Sequence, residues 1–325
     1  MRLYIALLIA FLTVLVLSPY GIKVLHKLKF GQQERDDAVK EHMKKQGTPT
    51  MGGIMILAGI ILGSVVGFMS TDIMTGGLQV LFLTVSFGII GFMDDFLKIK
   101  MKNTKGLLPW QKLALQLIVT IVFAVWRAKS YLPGTEPMSI IIPFTGKWIG
   151  IPSWLFYPFV ILVVLGTDNG VNFTDGLDGL CSSVTIPVAA FFAFVSLVLG
   201  EEAVTAVCVA VIGALCGFLF FNSHPAKVFM GDTGSLALGG FVAASAVVTG
   251  SEIFIPIVGF IYLIEVLSVI IQVGYFKATH GKRVFRMAPI HHHYELGGNS
   301  ETQIVTAFTI LTGLLAILGV LGLLV

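Results

Sequence analysis

The chain has 325 residues, of which 56% are hydrophobic and only 12% are charged, and its mean hydropathy is +0.91. Soluble domains are about 45–50% apolar and about 25% charged, so this composition excludes an ordinary soluble protein. The three cysteines show no metal-ligand spacing and lie in or beside apolar stretches, so a disulfide framework is not expected.

Long apolar runs recur along the whole chain. Each has roughly 17 to 24 residues, which is enough for a helix to cross about 30 Å of hydrocarbon. The first run has no cleavage site of the signal-peptide type, and we expect it to remain as a helix. The sequence predicts one all-α polytopic membrane domain over residues 1–325, with ten spans at 3–22, 53–70, 78–94, 113–130, 154–171, 181–199, 203–221, 235–250, 253–275 and 303–325.

Basic residues are concentrated on one side of the predicted membrane. Seven lie in residues 23–50, five in 96–112, one at Lys227 and four in 276–301, so this side holds 17 of the 21. Lys and Arg near helix ends accumulate on the cytoplasmic side. We therefore expect these loops to be cytoplasmic and both chain termini to lie outside.

Residues 45–53 lead into the second predicted span and read Lys-Gln-Gly-Thr-Pro-Thr-Met-Gly-Gly. Their glycines and hydroxyls could line a phosphate-binding turn. The Gly-Lys-Ser/Thr ending of a Walker P-loop is missing, so this is not a nucleotide-binding P-loop.

Two acidic groups close predicted spans at the cytoplasmic boundary. Asp94 and Asp95 end the third span, where they could also be ordinary interface residues. The fifth span ends in the Asn-, Asp- and Gly-rich residues 168–179. If that stretch is helical, Asn172, Asp175 and Asp178 share one face that could hold a hydrated cation or hydroxyl groups.

A third acidic element is the predicted inner loop 222–235, in which Asp232 stands between two glycines. A few carboxylates completed by water and substrate phosphates suit Mg²⁺, whereas Zn²⁺ would require Cys or His at ligand spacing. Three acidic elements on one face therefore favour a Mg²⁺ site there over unrelated helix-end acids.

On the outer side, residues 131–153 form the longest connection. Apolar stretches at 139–142 and 148–151 flank Thr145-Gly146-Lys147, which predicts a small β-hairpin.

Two polar features follow in the last third of the chain. Glu265 is the one clear acid near the middle of a predicted span, and it is either a ligand- or proton-coupled group or a side chain satisfied by a neighbouring helix. Residues 287–295 contain three adjacent histidines, which cannot all face one metal. They could offer one or two imidazoles to a phosphate or a uracil-like ring, or they could form a solvated polar loop.

Together, these motifs resemble the signatures of the polyprenyl-phosphate N-acetylhexosamine-1-phosphate transferases, in order and with suitable helices between them. The resemblance covers nearly the whole chain and is carried by residues 47–53, 94–95, 169–179, 229–235 and 289–295. It implies transfer of phospho-N-acetylmuramoyl-pentapeptide from UDP to undecaprenyl phosphate, with release of UMP and formation of the first lipid-linked peptidoglycan precursor. It also implies Mg²⁺ in the site, a homodimer and a location in the bacterial inner membrane.

By the same resemblance, Asp94, Asp95 and His291 are expected to be catalytic, and Asp232 is expected to be a metal ligand. The family usually has Gly-Pro at the positions of Ala38 and Val39, and this departure puts the shape of that loop in doubt. The residues expected to bind substrates are Lys45, Thr50, Lys112, Asn172, Asp175, Asp178, Asn222, Phe229, His292 and His293.

Two alternative functions remain open from the sequence. A sister transferase that uses UDP-N-acetylglucosamine would share the elements at Asp94, Asp95 and Asp232, although residues 289–295 favour the muramoyl-pentapeptide branch. An anion or lipid-phosphate transporter is the alternative from another class, but such carriers usually place polar residues near the bilayer midplane.

Overall fold

A computed structural model describes residues 1–27, 45, 47–69, 71, 73–101, 106–130 and 139–325. The departure at Ala38 and Val39 lies outside these residues. Twelve helices and two strands are described: α1 (Arg2–Lys27), α2 (Gly53–Phe68), α3 (Thr75–Lys100), α4 (Pro109–Lys129), β1 (Ser139–Ile142), β2 (Lys147–Gly150), α5 (Ser153–Thr174), α6 (Leu180–Val198), α7 (Glu202–Asn222), α8 (Gly231–Thr249), α9 (Ile255–Val258), α10 (Phe260–Ala278), α11 (Ile290–Glu295) and α12 (Glu301–Leu324).

The predicted all-α membrane class is confirmed. Within the described ranges, nine helices are long and apolar enough to cross a membrane. The remaining predicted span, 53–70, corresponds to α2, which is apolar but has only 16 residues. It measures about 24 Å, less than the roughly 30 Å of a hydrocarbon core.

The ninth predicted span, 253–275, is divided rather than continuous. A 3₁₀ turn (Glu252–Phe254) and the short α9 precede α10, and Gly259 separates α9 from α10. Gly259 leaves the helical conformation with φ −97° and ψ 26°. The apolar pattern of this span continues through Gly259, whose backbone does not remain helical.

Helix α8 lies at the centre of the bundle. Every residue from Thr233 to Thr249 is buried, and α2, α3, α5 and α6 all pack against this helix. Its many Gly, Ala and Ser residues allow neighbouring helices to approach closely, as is common between helices in membranes. At Gly91 on α3, an added methyl group would overlap the backbone of Asp232.

The predicted hairpin is confirmed, with β1 and β2 antiparallel and Ile140 opposite Ile149. The hairpin covers one end of the bundle, where Ile141 N donates to Gly250 O at 2.7 Å and Phe144 N donates to Gly322 O at 2.7 Å. The chain begins at this end too, since Arg2 pairs with Glu202 at the start of α7. Both termini therefore lie at the hairpin end.

Candidate active site

The opposite end of the bundle gathers most of the polar residues singled out by sequence. Here α3 and α5 end, and α2, α4, α6, α8 and α12 begin. Up-and-down packing places these ends together, because each short connection reverses the direction of the chain. Residues from five separate parts of the sequence consequently meet in one region.

Asp94, Asp95 and Asp232 form a compact acidic cluster, in which one carboxylate oxygen from each lies within 4.8 Å of the others. Asp94 and Asp95 lie near the end of α3 and are each 3% exposed. Asp232 was expected on a loop, but α8 begins at Gly231, so Asp232 lies in the first helical turn. A carboxylate is favourable there because the amide groups at a helix start point toward it.

The carboxylate of Asp95 holds the beginning of α8. It accepts from Asp232 N at 3.2 Å, from Thr233 N at 2.9 Å and from Thr233 Oγ1 at 2.7 Å. These bonds satisfy amide groups that have no partner inside the helix. Gly231 has φ +68°, and a side chain there would also press on Asp95 and Thr50. The close approach of α3 and α8 therefore requires glycine at this turn.

Asp94 has different partners. Its Oδ1 accepts from Leu107 N at 2.7 Å, and its Oδ2 lies 2.5 Å from Lys98 Nζ, one helical turn further along α3. The segment before α4 thus folds over this carboxylate. Asp94 is more directly paired with a cation than Asp95 is.

Asp232 is paired with two lysine side chains. Its Oδ2 lies 3.1 Å from both Lys98 Nζ and Lys112 Nζ, and its Oδ1 accepts from Asn172 Nδ2 at 3.1 Å. Asn172 also donates to Ser235 Oγ at 2.8 Å. The cluster combines three carboxyl groups with two ammonium groups, so its ionised form keeps one negative charge in excess.

The acidic cluster fits a hard divalent cation. It offers carboxylate oxygens, the ligands that Mg²⁺ prefers, together with an excess negative charge. A second set with ligand spacing is Asp178, His224 and Glu301, in which an imidazole nitrogen, a less suitable ligand for Mg²⁺, takes the place of one carboxylate. Asp94, Asp95 and Asp232 are therefore the set that better suits Mg²⁺.

Lys45 and Asp178 meet in a buried ionic network beside this cluster. Lys45 Nζ lies 2.8 Å from Asp178 Oδ1 and 2.7 Å from Glu301 Oε2. Burial lowers the pKa of Lys45, but its bonds with Asp178 and Glu301 outweigh that effect and leave the pKa raised. Lys45 is thus a permanent cation near neutral pH.

Asn172, Asp175 and Asp178 would share a face only if the helix continued through all three, and this condition is not met. Helix α5 ends at Thr174, so only Asn172 is helical, and Asp178 turns toward Lys45. Burial raises the pKa of Asp175 well above its usual range, and the charges of Asp232, Asp95 and Asp178 raise it further while Lys45 opposes them. Asp175 therefore binds a proton more readily than an ordinary aspartate.

The turn that contains Thr50 is tied to the loop between α7 and α8. Phe229 N donates to Pro49 O and Gly52 N donates to Phe229 O, both at 2.8 Å. Phe229 is half-buried, whereas Asn222 is buried and donates to Val228 O at 3.0 Å. Asn222 thus closes the loop between α7 and α8, and the backbone bonds of Phe229 join this loop to the turn that contains Thr50.

The three histidines lie on or beside the short helix α11 and point to different partners. His291 is buried and lies 3.1 Å from Glu265, His292 contacts Glu295 at 2.7 Å, and His293 accepts from Arg286 N at 3.1 Å. The expectation that they cannot share one metal agrees with this arrangement. His291, predicted to be catalytic, is enclosed by protein, whereas the other two are partly exposed.

Several site residues were not singled out by sequence. Lys98 follows Asp94 by four positions, a spacing that places both on one helix face, and this signal could have identified it. Gln116 donates to Asp168, one turn deeper in the bundle, and Glu301 accepts from Lys45. In both pairs, the partners are distant in sequence and are brought together by the packing of the helices. Their sequence surroundings carry no comparable signal.

Comparisons with known proteins match this chain along most of its length. Residues 78–250 match the family model for glycosyl transferase family 4, and residues 45–57 match signature 1 of the phospho-N-acetylmuramoyl-pentapeptide-transferases. The second match overlaps the turn that contributes Lys45 and Thr50.

Curated relatives named phospho-N-acetylmuramoyl-pentapeptide-transferase are similar over nearly the whole chain. The relative from Desulforamulus reducens is 48% identical over 97% of this chain and 93% of its own length. The relative from Clostridioides difficile is 47% identical, and that from Geobacillus thermodenitrificans is 45% identical, each over 97% of this chain and 96% of its own length.

Proposed function

Because this chain belongs to the phospho-N-acetylmuramoyl-pentapeptide-transferase family, we propose that it transfers phospho-N-acetylmuramoyl-pentapeptide from UDP to undecaprenyl phosphate. The products would be UMP and the first lipid-linked precursor of peptidoglycan. The observation that carries this proposal is the cluster of Asp94, Asp95 and Asp232 with two lysines at one end of a bundle of membrane-length helices.

The position of the site suits two substrates of different solubility. A polyprenyl phosphate keeps its chain in lipid and its phosphate at the interface, whereas a nucleotide sugar arrives from water. Basic loops on the same side raise the local concentration of both anions. The asymmetry of basic residues supports the proposal that this side of the protein faces the cytoplasm and that the protein lies in a bacterial inner membrane.

In the proposed reaction, an oxygen of the lipid phosphate attacks the sugar-linked phosphorus of the donor. The bond from that phosphorus to the bridging oxygen breaks, and UMP leaves with the bridging oxygen. Lys98 and Lys112, which flank Asp232, would bind phosphate oxygens and offset charge that develops on them. Most of the rate enhancement then comes from positioning and charge stabilisation.

The carboxylates divide the remaining roles. Asp94, at the end of α3 and paired with Lys98, would position or deprotonate the lipid phosphate, whereas Asp95 holds α8 in place. Asp232 would be the principal ligand of Mg²⁺. When bound, Mg²⁺ would neutralise the donor diphosphate and the leaving UMP.

The nucleotide half of the donor would bind near Lys45 and Asp178. Phe229 lies on the loop between α7 and α8 and offers an aromatic face on which the base could stack. The cations near α11, including Arg286, would face the sugar-phosphate side of the donor, where His292 and His293 are also partly exposed.

Purified protein in detergent with undecaprenyl phosphate and Mg²⁺ tests the proposal. UMP release should occur with UDP-N-acetylmuramoyl-pentapeptide and should be much slower with UDP-N-acetylglucosamine. Equal or faster release from the second donor would assign the chain to the sister activity instead. The match of residues 45–57 to the muramoyl-pentapeptide signature favours the first donor.

A transport assay on the same protein tests the alternative that the chain is an anion or lipid-phosphate transporter. The protein in sealed vesicles should release UMP from the donor without accumulating labelled anion inside. Accumulation without UMP release would support a transporter and contradict the transferase proposal.

A further inference from the structure

Glu301 is the first residue of the last membrane-length helix, α12, yet its carboxylate contacts residues near the chain's beginning and middle. Its Oε2 accepts from Lys45 Nζ at 2.7 Å and from Asp178 N at 3.3 Å. The side chain of Glu301 is 5% exposed and that of Lys45 is 12% exposed. These bonds are shielded from water and are stronger than ion pairs on the surface.

We propose that Glu301 is a positioning residue for the donor, which fixes Lys45 and the Asp178 backbone in the arrangement that binds the nucleotide half. The inference rests on the proposed function, because Lys45 and Asp178 are its nucleotide-binding residues. Glu301 itself acts through these two residues rather than by touching the donor.

The Asp178 side chain has enough partners without Glu301, but Lys45 does not. Asp178 Oδ2 accepts from His224 Nδ1 at 3.1 Å and from Ala226 N at 3.0 Å, which anchors this carboxylate to the loop between α7 and α8. Lys45 has two carboxylate partners, Asp178 and Glu301. Without Glu301, the ammonium group would be held from one side only and its flexible stem would sample other positions.

Glu301 is not required to cap its own helix. Ser300 Oγ accepts from Gln303 N, and Gln303 Oε1 accepts from Ser300 N, so a reciprocal pair of bonds already satisfies the start of α12. The carboxylate of Glu301 is therefore available for Lys45. If Glu301 served only to stabilise the start of α12, its carboxylate would not need to contact Lys45 and Asp178.

A double-mutant cycle tests the inference on the full-length protein in detergent. Glu301→Gln should raise the KM for the donor by about tenfold or more, the effect of losing a charged hydrogen bond, and change kcat little. Because Glu301 acts mainly through Lys45, the double variant with Lys45→Met should raise the KM by clearly less than the product of the two single effects. Glu202→Gln is the matched control, since Glu202 begins α7 at the hairpin end and pairs with Arg2.

Binding of UMP gives a second measurement that needs no turnover and no Lys45 variant. UMP should raise the melting temperature of the wild type, and Glu301→Gln should reduce that rise while Glu202→Gln preserves it. Additive effects on KM, or an unchanged rise with UMP, would overturn the role of Glu301. Wild-type protein that releases no UMP from the donor would instead overturn the proposed function.

Discussion

The Nδ1 atom of His291 lies 3.1 Å from Oε2 of Glu265, and these side chains are only 1% and 0% exposed. The ring nitrogen is not aimed directly at the oxygen, and among the described residues neither side chain completes a hydrogen bond elsewhere. Because neither oxygen of Glu265 completes a hydrogen bond, this contact favours, of the two interpretations left open by sequence, a group coupled to the His291 proton over a side chain satisfied by a neighbouring helix. It also orients a residue that the family resemblance implies is catalytic.

We predict that Glu265→Gln lowers kcat by about tenfold. The carboxylate can fix which nitrogen of His291 carries the proton, and a neutral amide does so less strongly. The kcat and KM of UMP release measure the effect, and Glu252→Gln, at a second buried glutamate near the hairpin end, is the control. Wild-type kcat in Glu265→Gln would show that the contact only fills the space between α10 and α11.

A second prediction concerns the close contact of α3 with α8. Gly91→Ala should abolish most activity, because the added methyl group overlaps the Asp232 backbone and would separate Asp95 from the start of α8. Gly166→Ala on α5 is the matched control, since no atom lies within 4 Å of its added methyl group. UMP release and melting temperature should both fall for Gly91→Ala. Comparable losses in the two variants would contradict the explanation.

Sequence predicted the positions of the helices well because the apolar runs were long and separated by polar segments. The same pattern did not predict the break at Gly259, because the apolar stretch continues across it. It also extended a loop to Asp232, since glycines at 231 and 234 suggested a turn. In the structure these glycines instead permit close packing of α8 against α2 and α3.

The acidic cluster could be predicted because its three members lie at the ends of apolar runs on one side of the membrane. The residues that pair with the polar side chains in and beside this cluster could not all be predicted. Glu301 is far from Lys45 in sequence, and nothing in its neighbours indicates that the start of α12 lies beside residue 45. Such pairings depend on the order in which helices pack, which hydrophobic periodicity does not specify.

A third prediction concerns Glu252, in the 3₁₀ turn before α9. Burial raises its pKa to about 8 from an ordinary value of 4.5, while Arg127 and a backbone bond oppose the shift. The folded protein therefore keeps a proton that the unfolded chain has released, so stability should fall as pH rises from about 4.5 to about 8. The size of this loss is on the order of a few kcal/mol.

Glu252→Gln should remove this pH dependence. Its melting temperature should exceed that of the wild type at pH 9, and the difference should shrink toward pH 5, where Glu252 is protonated in the folded protein. Thermal unfolding in detergent at several pH values measures both. A difference that stays constant across this range would mean that Glu252 does not titrate as the burial implies.

A fourth prediction concerns orientation. If the basic loops are cytoplasmic, a single cysteine introduced at Lys227 should resist membrane-impermeant labels in intact cells. A cysteine at Thr145, in the hairpin turn at the opposite end of the bundle, should react and serves as the control. The native cysteines are first replaced by serine. Reaction at residue 227 from outside would reverse the topology and move the acidic cluster out of the cytoplasm.

The last prediction separates the three aspartates. Asp232→Asn should weaken Mg²⁺ binding and activity together, and high Mg²⁺ should restore part of the activity because the remaining carboxylates still offer ligands. Asp94→Asn should lower kcat by about 10²-fold or more without rescue by Mg²⁺, the scale of a lost acid–base group. The lipid phosphate is largely ionised near neutral pH, so much of this loss would come from positioning.

Asp95→Asn should differ from both, because Asp95 accepts three bonds from the first turn of α8. An amide can accept at only one of its two positions, so the start of α8 should loosen and the melting temperature should fall along with activity. Steady-state kinetics over a range of Mg²⁺ concentrations, with thermal unfolding of each variant, distinguishes these outcomes. Near wild-type kcat in both Asp94→Asn and Asp95→Asn would leave these residues as interface carboxylates and remove them from the proposed mechanism.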